Sequence, residues 1–281
     1  MSKFILSAFA DEYSSDFDKQ LEGLQKNGIT HIELRGVNGK NILDLDENEL
    51  AEVKRKLDDK GIKISAIGSP LGKIDIVDPF EEHLDKTRRC VDIANYLGTP
   101  NIRMFSFYIK DGDYEGHRDE VMRRLTAMCD VADKGGVLLC HENEKGIYGD
   151  TVERCLDILN TLGGRIKCIF DPANFIQCGI ETYPYAFGQL KDKIYYMHIK
   201  DADENDSIVP AGAGVGKIAD ILRELRERDE IMLTLEPHLT VFEGLAALED
   251  GEKTKHAYNF SSTEEAFDTG AEALKNIICG L

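Results

Sequence analysis

Four stretches of the chain end alike: a short apolar run closes on one residue able to ligate a metal. They are LLCHENE at Glu142, IFDPANF at Asp171, IYYMHIKDAD at His198 and LTLEPHL at Glu236, spaced 29, 27 and 38 residues apart. Each alone is ordinary. His198, for instance, reads equally as a core histidine with both ring nitrogens satisfied. Three carboxylates and an imidazole gathered in one place are different, because the carboxylates would repel one another strongly unless a cation neutralised them.

Whether they gather depends on the elements that carry them. Short apolar segments alternate with longer amphipathic ones from end to end. The pattern predicts strands at 4–9, 30–35, 62–68, 101–107, 137–142, 166–171, 194–199 and 231–236. It predicts helices at 16–27, 46–60, 79–97, 115–134, 150–162, 183–190, 215–228 and 263–278, most of them closed by glycine. Continuous apolar runs mark strands buried on both faces, and so a parallel sheet. Eight βα units in 281 residues match an α/β fold of the (β/α)8 TIM barrel type, one domain over residues 1–281 with no linker or low-complexity segment. A doubly wound open sheet competes less well, since no GxGxxG follows the first strand.

In such a barrel the C-terminal strand ends form one rim, where catalytic groups sit. Each gap between the four residues is about one βα unit, so four adjacent strands place one ligand each on that rim. The expectation is a site for one divalent metal ion built from Glu142, Asp171, His198 and Glu236. The mostly hard donor set favours Mn²⁺ or Mg²⁺, and the imidazole also tolerates Co²⁺ and Zn²⁺. Glu144 shares a strand face with Glu142 by alternation, but Glu142 is the one that closes the apolar run.

Composition narrows the partners. With 34 basic against 52 acidic residues the formal charge is −18, which repels phosphate backbones and anionic lipid, so neither nucleic acid nor a membrane is expected. No apolar stretch approaches the ~20 residues of a membrane span. The apolar run near the N-terminus is too short for a signal peptide. Seven cysteines form no CxxC pair and several sit in apolar runs, which points to a reducing cytoplasm.

With IELRG after the second strand, HENE at the fifth, FDPANF at the sixth, MHIKDA at the seventh and LEPH at the eighth, the chain resembles the sugar phosphate isomerase/epimerase family, the xylose isomerase-like TIM barrels, nearly end to end. The resemblance implies that Glu142, Asp171, His198 and Glu236 hold one divalent metal ion. It also implies that Glu142 and Glu236 form the acid–base pair of an isomerase or epimerase acting on a small carbohydrate through an enediolate. Proton return to the same carbon gives epimerisation, and return to the neighbouring carbon gives aldose–ketose isomerisation. A homo-oligomer is compatible with this reading.

Four further residues are candidate substrate contacts: Lys200, His238, Arg103 and Glu33. For Lys200 a salt bridge with Asp201 is the alternative, and for Arg103 and Glu33 a structural ion pair. The loop PAGAGVGK, Pro210 to Lys217, reads either as a phosphate cradle or as a plain turn. It carries Ala213 where many relatives have an acidic residue. Three rival functions stand beside the isomerase: an inosose-type dehydratase on the same site, a non-catalytic sugar-binding barrel, and an endonuclease IV-like hydrolase. The last needs more histidines at the strand ends than this chain has, with Asn174 where that group carries one.

Overall fold

The computed structural model describes residues 3–245 and 253–281. Eight strands form the central sheet: β1 (Lys3–Ala8), β2 (His31–Leu34), β3 (Lys63–Gly68), β4 (Asn101–Met104), β5 (Leu138–Glu142), β6 (Ile166–Phe170), β7 (Ile194–Ile199) and β8 (Glu230–Leu235). All ladders are parallel and run in the order β1-β8-β7-β6-β5-β4-β3-β2. β1 and β2 lie side by side but share no ladder, so the barrel is nearly closed, with one seam. Helices fill the connections and bury their apolar stripes against the outside of the strands, in one continuous core. This is the TIM barrel the alternation predicts.

Local signals place the elements. The helix Glu47–Lys60 opens on a capping box, Asp46 accepting from the Glu49 amide and Glu49 from the Asp46 amide, both at 2.9 Å. It closes on Gly61 at φ 65°, in the left-handed region that favours glycine. β4 ends at Met104, earlier than predicted, because the chain then bonds to the loop after β3: the Phe105 amide reaches the Leu71 carbonyl at 2.7 Å and the Phe107 amide that of Gly72 at 2.9 Å. Gly72 has φ 87°, and a Cβ there would overlap the Phe105 carbonyl.

Two predicted helices are shorter than expected. The one at 183–190 is regular only over Phe187–Leu190, after a wider turn at Thr182–Ala186 in which Tyr183 is extended. The one at 215–228 is Ile218–Leu225, since Lys217 before it has a left-handed φ of 55°. One helix, Pro172–Gln177, is not predicted at all. Among the described residues no helix is long and apolar enough to cross a membrane.

Candidate functional site

Glu142 ends β5, Asp171 and Glu236 directly follow β6 and β8, and His198 is the penultimate residue of β7. In the ladder His198 is paired with Thr234, two residues before Glu236, so both side chains leave their strands at the same end of the barrel. One ligand atom from each of the four lies within 4.8 Å of all the others, and the residues are 1, 0, 0 and 3 % exposed in chain order.

Asp171 is doubly fixed. It caps the helix Pro172–Gln177, accepting from the Asn174 amide at 3.0 Å through Oδ1, with Pro172 at the first helical position where no amide is needed. Its own amide donates to Asn143 Oδ1 at 2.9 Å. That arrangement leaves Oδ2 toward the cluster. His198 is fixed from behind: Glu33 Oε2 accepts from Nε2 at 3.2 Å. The other ring nitrogen, Nδ1, lies 3.0 Å from Glu142 Oε1 and 3.4 Å from Glu236 Oε2, at angles that make no hydrogen bond.

The donor set fits a divalent ion. Asp171 Oδ2 and His198 Nδ1 are buried without hydrogen-bond partners and belong to the same cluster. A carboxylate behind Nε2 keeps the proton on that nitrogen and the lone pair on Nδ1, as a metal-binding histidine requires. Without an ion, burial opposes charge on the imidazole, but Glu142 and Glu33 outweigh it and raise the His198 pKa well above the ordinary value.

Three cations balance the carboxylates. Lys200 Nζ lies 3.0 Å from Asp171 Oδ2 and 3.4 Å from Glu236 Oε2. Arg103 Nη1 lies 3.3 Å from Glu142 Oε2 and 3.7 Å from Glu236 Oε1. Arg35 donates to Glu236 Oε1 at 2.9 Å, to both oxygens of Asp11 at 2.8 and 3.0 Å, and to Glu12 at 3.3 Å, with its guanidinium over the Phe9 ring. Burial works against ionisation of Glu142, yet His198 and Arg103 bring its pKa down to about 2. Glu236 also sits well below the carboxylate range, since Lys200 and His238 overcome its burial. Burial wins at the other two acids: the Asp171 pKa rises to about 7 against Lys200, and that of Glu12 to about 8 against Arg35. The cluster thus contains carboxylates held ionised beside one close to neutrality.

The substrate-contact expectations divide. Lys200, Arg103 and His238 line a cavity of about 250 Å³ above Glu142 and Glu236. His238 stands at φ 45°, its amide donating to Glu12 Oε2 at 2.7 Å. Glu33 stands apart. It lies inside the barrel behind His198, accepting also from Tyr196 Oη at 3.0 Å and Thr234 Oγ1 at 2.9 Å, and does not line the cavity. Glu144 pairs with Lys73 at 2.8 Å on the cavity wall.

Lys200 pairs with Asp171 and Glu236 rather than with Asp201. Asp201 instead takes the glycine loop. Its carboxylate accepts from the amides of Gly212, Gly214, Gly216 and Ala202 at 2.9–3.2 Å. The amides that would cradle a phosphate are therefore occupied by the chain's own carboxylate.

Sequence reasoning passed over Arg35 and Glu12. Arg35 stood inside the quoted IELRG, one residue past a strand. Glu12 lies in a single turn, Ala10–Glu12, which has no periodicity to reveal it. With Glu236 and His238, Glu12 forms a second ligand-type group, but the Arg35 guanidinium bonds both acids of that group. Asn174 donates to Glu142 Oε1 at 3.2 Å.

A family model described as xylose isomerase-like TIM barrel matches residues 21–275. Among solved structures, the probable 3-DHS dehydratase AsbF involved in petrobactin synthesis from Bacillus anthracis superposes with a TM-score of 0.75 at 19% identity, over 98% of this chain and 99% of that one. The IOLI protein with a binding zinc atom gives 0.73 at 18% identity over 99% and 98%. D-Allulose 3-epimerase from Methylomonas sp. gives 0.73 at 14% over 99% of each chain. At such identities the likeness is one of fold. No curated protein sequence matches the chain significantly.

Proposed function

The chain belongs to the xylose isomerase-like TIM barrel family, and from that premise we propose that it is a metal-dependent isomerase or epimerase of a small polyol ketone or aldehyde, moving a proton at the carbon beside the carbonyl. The observation that carries this reading is the buried convergence of Glu142, Asp171, His198 and Glu236 within 4.8 Å, with Glu142 and Glu236 lining the cavity above. These four would hold one divalent ion, with Mn²⁺ or Mg²⁺ best suited to three carboxylates and one imidazole. The chemistry such an ion supplies is polarisation of the carbonyl, which acidifies the neighbouring C–H.

The chain's own residues supply the rest. Glu142 and Glu236 are ionised at neutral pH, the state a general base needs, and they come from strands three places apart in the barrel. One takes the proton and the other, once protonated, returns it. Arg103 is in reach of both and offers its N–H groups to the negative charge that develops on the substrate oxygens. Loss of a β-hydroxyl from the same deprotonated substrate is the second reading. It is favoured by Lys200, a third proton-bearing group that could protonate the departing hydroxyl.

A screen of ketoses and ketose phosphates in deuterated water tests the proposal. The Mn²⁺-loaded protein should place deuterium beside the carbonyl, with product analysis separating epimer, isomer and dehydrated ketone. Glu142→Gln and Glu236→Gln should each slow exchange by ~10²–10⁴, the usual worth of general acid–base catalysis. His198→Ala should lower bound metal and its thermal stabilisation of the protein. Exchange at the parent's rate in both glutamine variants would refute the proton-transfer roles.

A further inference from the structure

The β5–β6 ladder ends at the pair Glu142 and Ile169, so Asp171 lies beyond its last rung. There a side chain takes over from the backbone. The amide of Asn143 carries a donor and an acceptor, as a peptide group does. Its Oδ1 accepts from the Asp171 amide at 2.9 Å and its Nδ2 donates to the Asp171 carbonyl at 3.0 Å. The residue that follows one clustered acid is thus tied at two points to the backbone of another, and all three residues are buried.

Asn174 closes the bracket from the other side. Its backbone amide donates to Asp171 Oδ1 at 3.0 Å, while its Nδ2 donates to the Asn143 carbonyl at 2.8 Å and to Glu142 Oε1 at 3.2 Å. Asn174 lines the cavity, but both hydrogens of Nδ2 are engaged by the chain itself. The two oxygens of Glu142 consequently differ. Oε1 receives the Asn174 hydrogen bond and lies 3.0 Å from His198 Nδ1, on the side of the cluster. Oε2 has Arg103 Nη1 as its neighbour, at 3.3 Å. The last torsion of a glutamate is broad and roughly two-fold, so without a donor fixed on one oxygen the two can exchange places.

We propose that Asn143 and Asn174 are positioning residues acting through Glu142 and Asp171. Their bracket sets the spacing of the two acids and divides the work of Glu142, giving Oε1 to the metal ion and Oε2 to the proton of the substrate. The inference rests on the proposed function for the ion and the reaction, and its test reads metal binding separately from turnover.

Asn174→Leu keeps most of the side-chain bulk and removes both Nδ2 donations. It should still fold without metal, because the bond to Asp171 Oδ1 comes from the backbone amide, which leucine retains. Titration with Mn²⁺ should show affinity reduced about 10–100-fold, with an altered paramagnetic resonance spectrum of the bound ion. At saturating Mn²⁺, deuterium exchange should slow about tenfold or more while KM stays within about twofold of the parent's. Asn174→Gln, which returns an amide donor, should bind Mn²⁺ more tightly than the leucine variant. Asn143→Ala, which leaves Glu142 and the cavity wall in place, should weaken Mn²⁺ binding in the same direction. Parental affinity and spectrum in Asn174→Leu and Asn143→Ala overturn the proposal, even if both variants are less stable, since the asparagines would then serve the scaffold alone. A raised KM as the only change also overturns it, by making Asn174 a substrate contact. Weakened Mn²⁺ binding in the variants of a protein that takes up no deuterium keeps the bracket and removes the proton-transfer reading, with its assignment of Oε2. Exchange that is slowed by Glu142→Gln but untouched by Asn174→Leu does the reverse.

Discussion

Glu33→Gln separates a residue that touches substrate from one that sets up a ligand. Glu33 is buried and accepts three hydrogen bonds, from His198 Nε2 and Thr234 Oγ1 on one oxygen and from Tyr196 Oη on the other. A glutamine can keep its carbonyl oxygen toward His198 and Thr234 and turn its amide toward the Tyr196 hydroxyl, which can accept. Shape and bond count survive; the negative charge behind the imidazole does not. Partners of this kind are worth about 10–100-fold in metal affinity, or ~1.4–2.7 kcal/mol. Titration of metal-free protein with Mn²⁺ should show that loss, while the KM for substrate at saturating metal stays within about twofold and the metal-free protein unfolds near the parent's temperature. Glu33→Ala would instead orphan three buried donors and destabilise the fold by ~3 kcal/mol or more. Unchanged Mn²⁺ affinity in the glutamine variant, with KM raised, would refute the assignment and return Glu33 to the substrate.

Two further outcomes follow from the packing. Gly214→Ala should destabilise the protein by about 1–3 kcal/mol in urea unfolding, because the added Cβ would overlap both the Ala202 carbonyl and the Asp201 carboxylate; wild-type stability would show that the loop is not locked as described. His83 accepts the Gly72 amide on Nε2 at 2.7 Å, and burial lowers its pKa from 6.5 to about 4. Between those values the unfolded chain binds a proton that the folded protein does not, so this contribution is complete above pH 6.5 and lost as pH falls toward 4. It is worth ~3 kcal/mol at most. The stability gap between parent and His83→Gln should therefore narrow by up to that amount from pH 7 to 4, and a constant gap would show that His83 is not held neutral.

The barrel was legible because its strands are buried on both faces, so their ends stand out as the first polar residue after an apolar run. That one signal found Glu142, Asp171, His198 and Glu236, which the fold brings together. It could not resolve depth. Glu33 and Arg35 lie two residues apart on one strand end, and nothing in the alternation says that the first looks into the barrel beneath His198 while the second reaches Glu236. Glu12 was hidden because a single turn carries no period. The helix Pro172–Gln177 was announced by Asp171-Pro172, a cap followed by proline, but it is too short for an apolar stripe. The glycine loop stayed open between a phosphate cradle and a plain turn because glycines suit any anion, and the anion here is Asp201.

Arg35 has a role in the barrel as a whole. β1 and β2 are the neighbours without a ladder, and Arg35, at the end of β2, reaches across to Asp11 and Glu12 beyond β1 and to Glu236 beyond β8. One guanidinium is thus the clasp of an open ring. Glu236 is shared: Oε1 holds the clasp, and Oε2 faces His198 and Lys200. The seam of the barrel and its candidate site meet in a single carboxylate. A substitution at Glu236 is therefore expected to loosen the ring as well, and drift in the first or second strand to be felt at the four clustered residues without touching them.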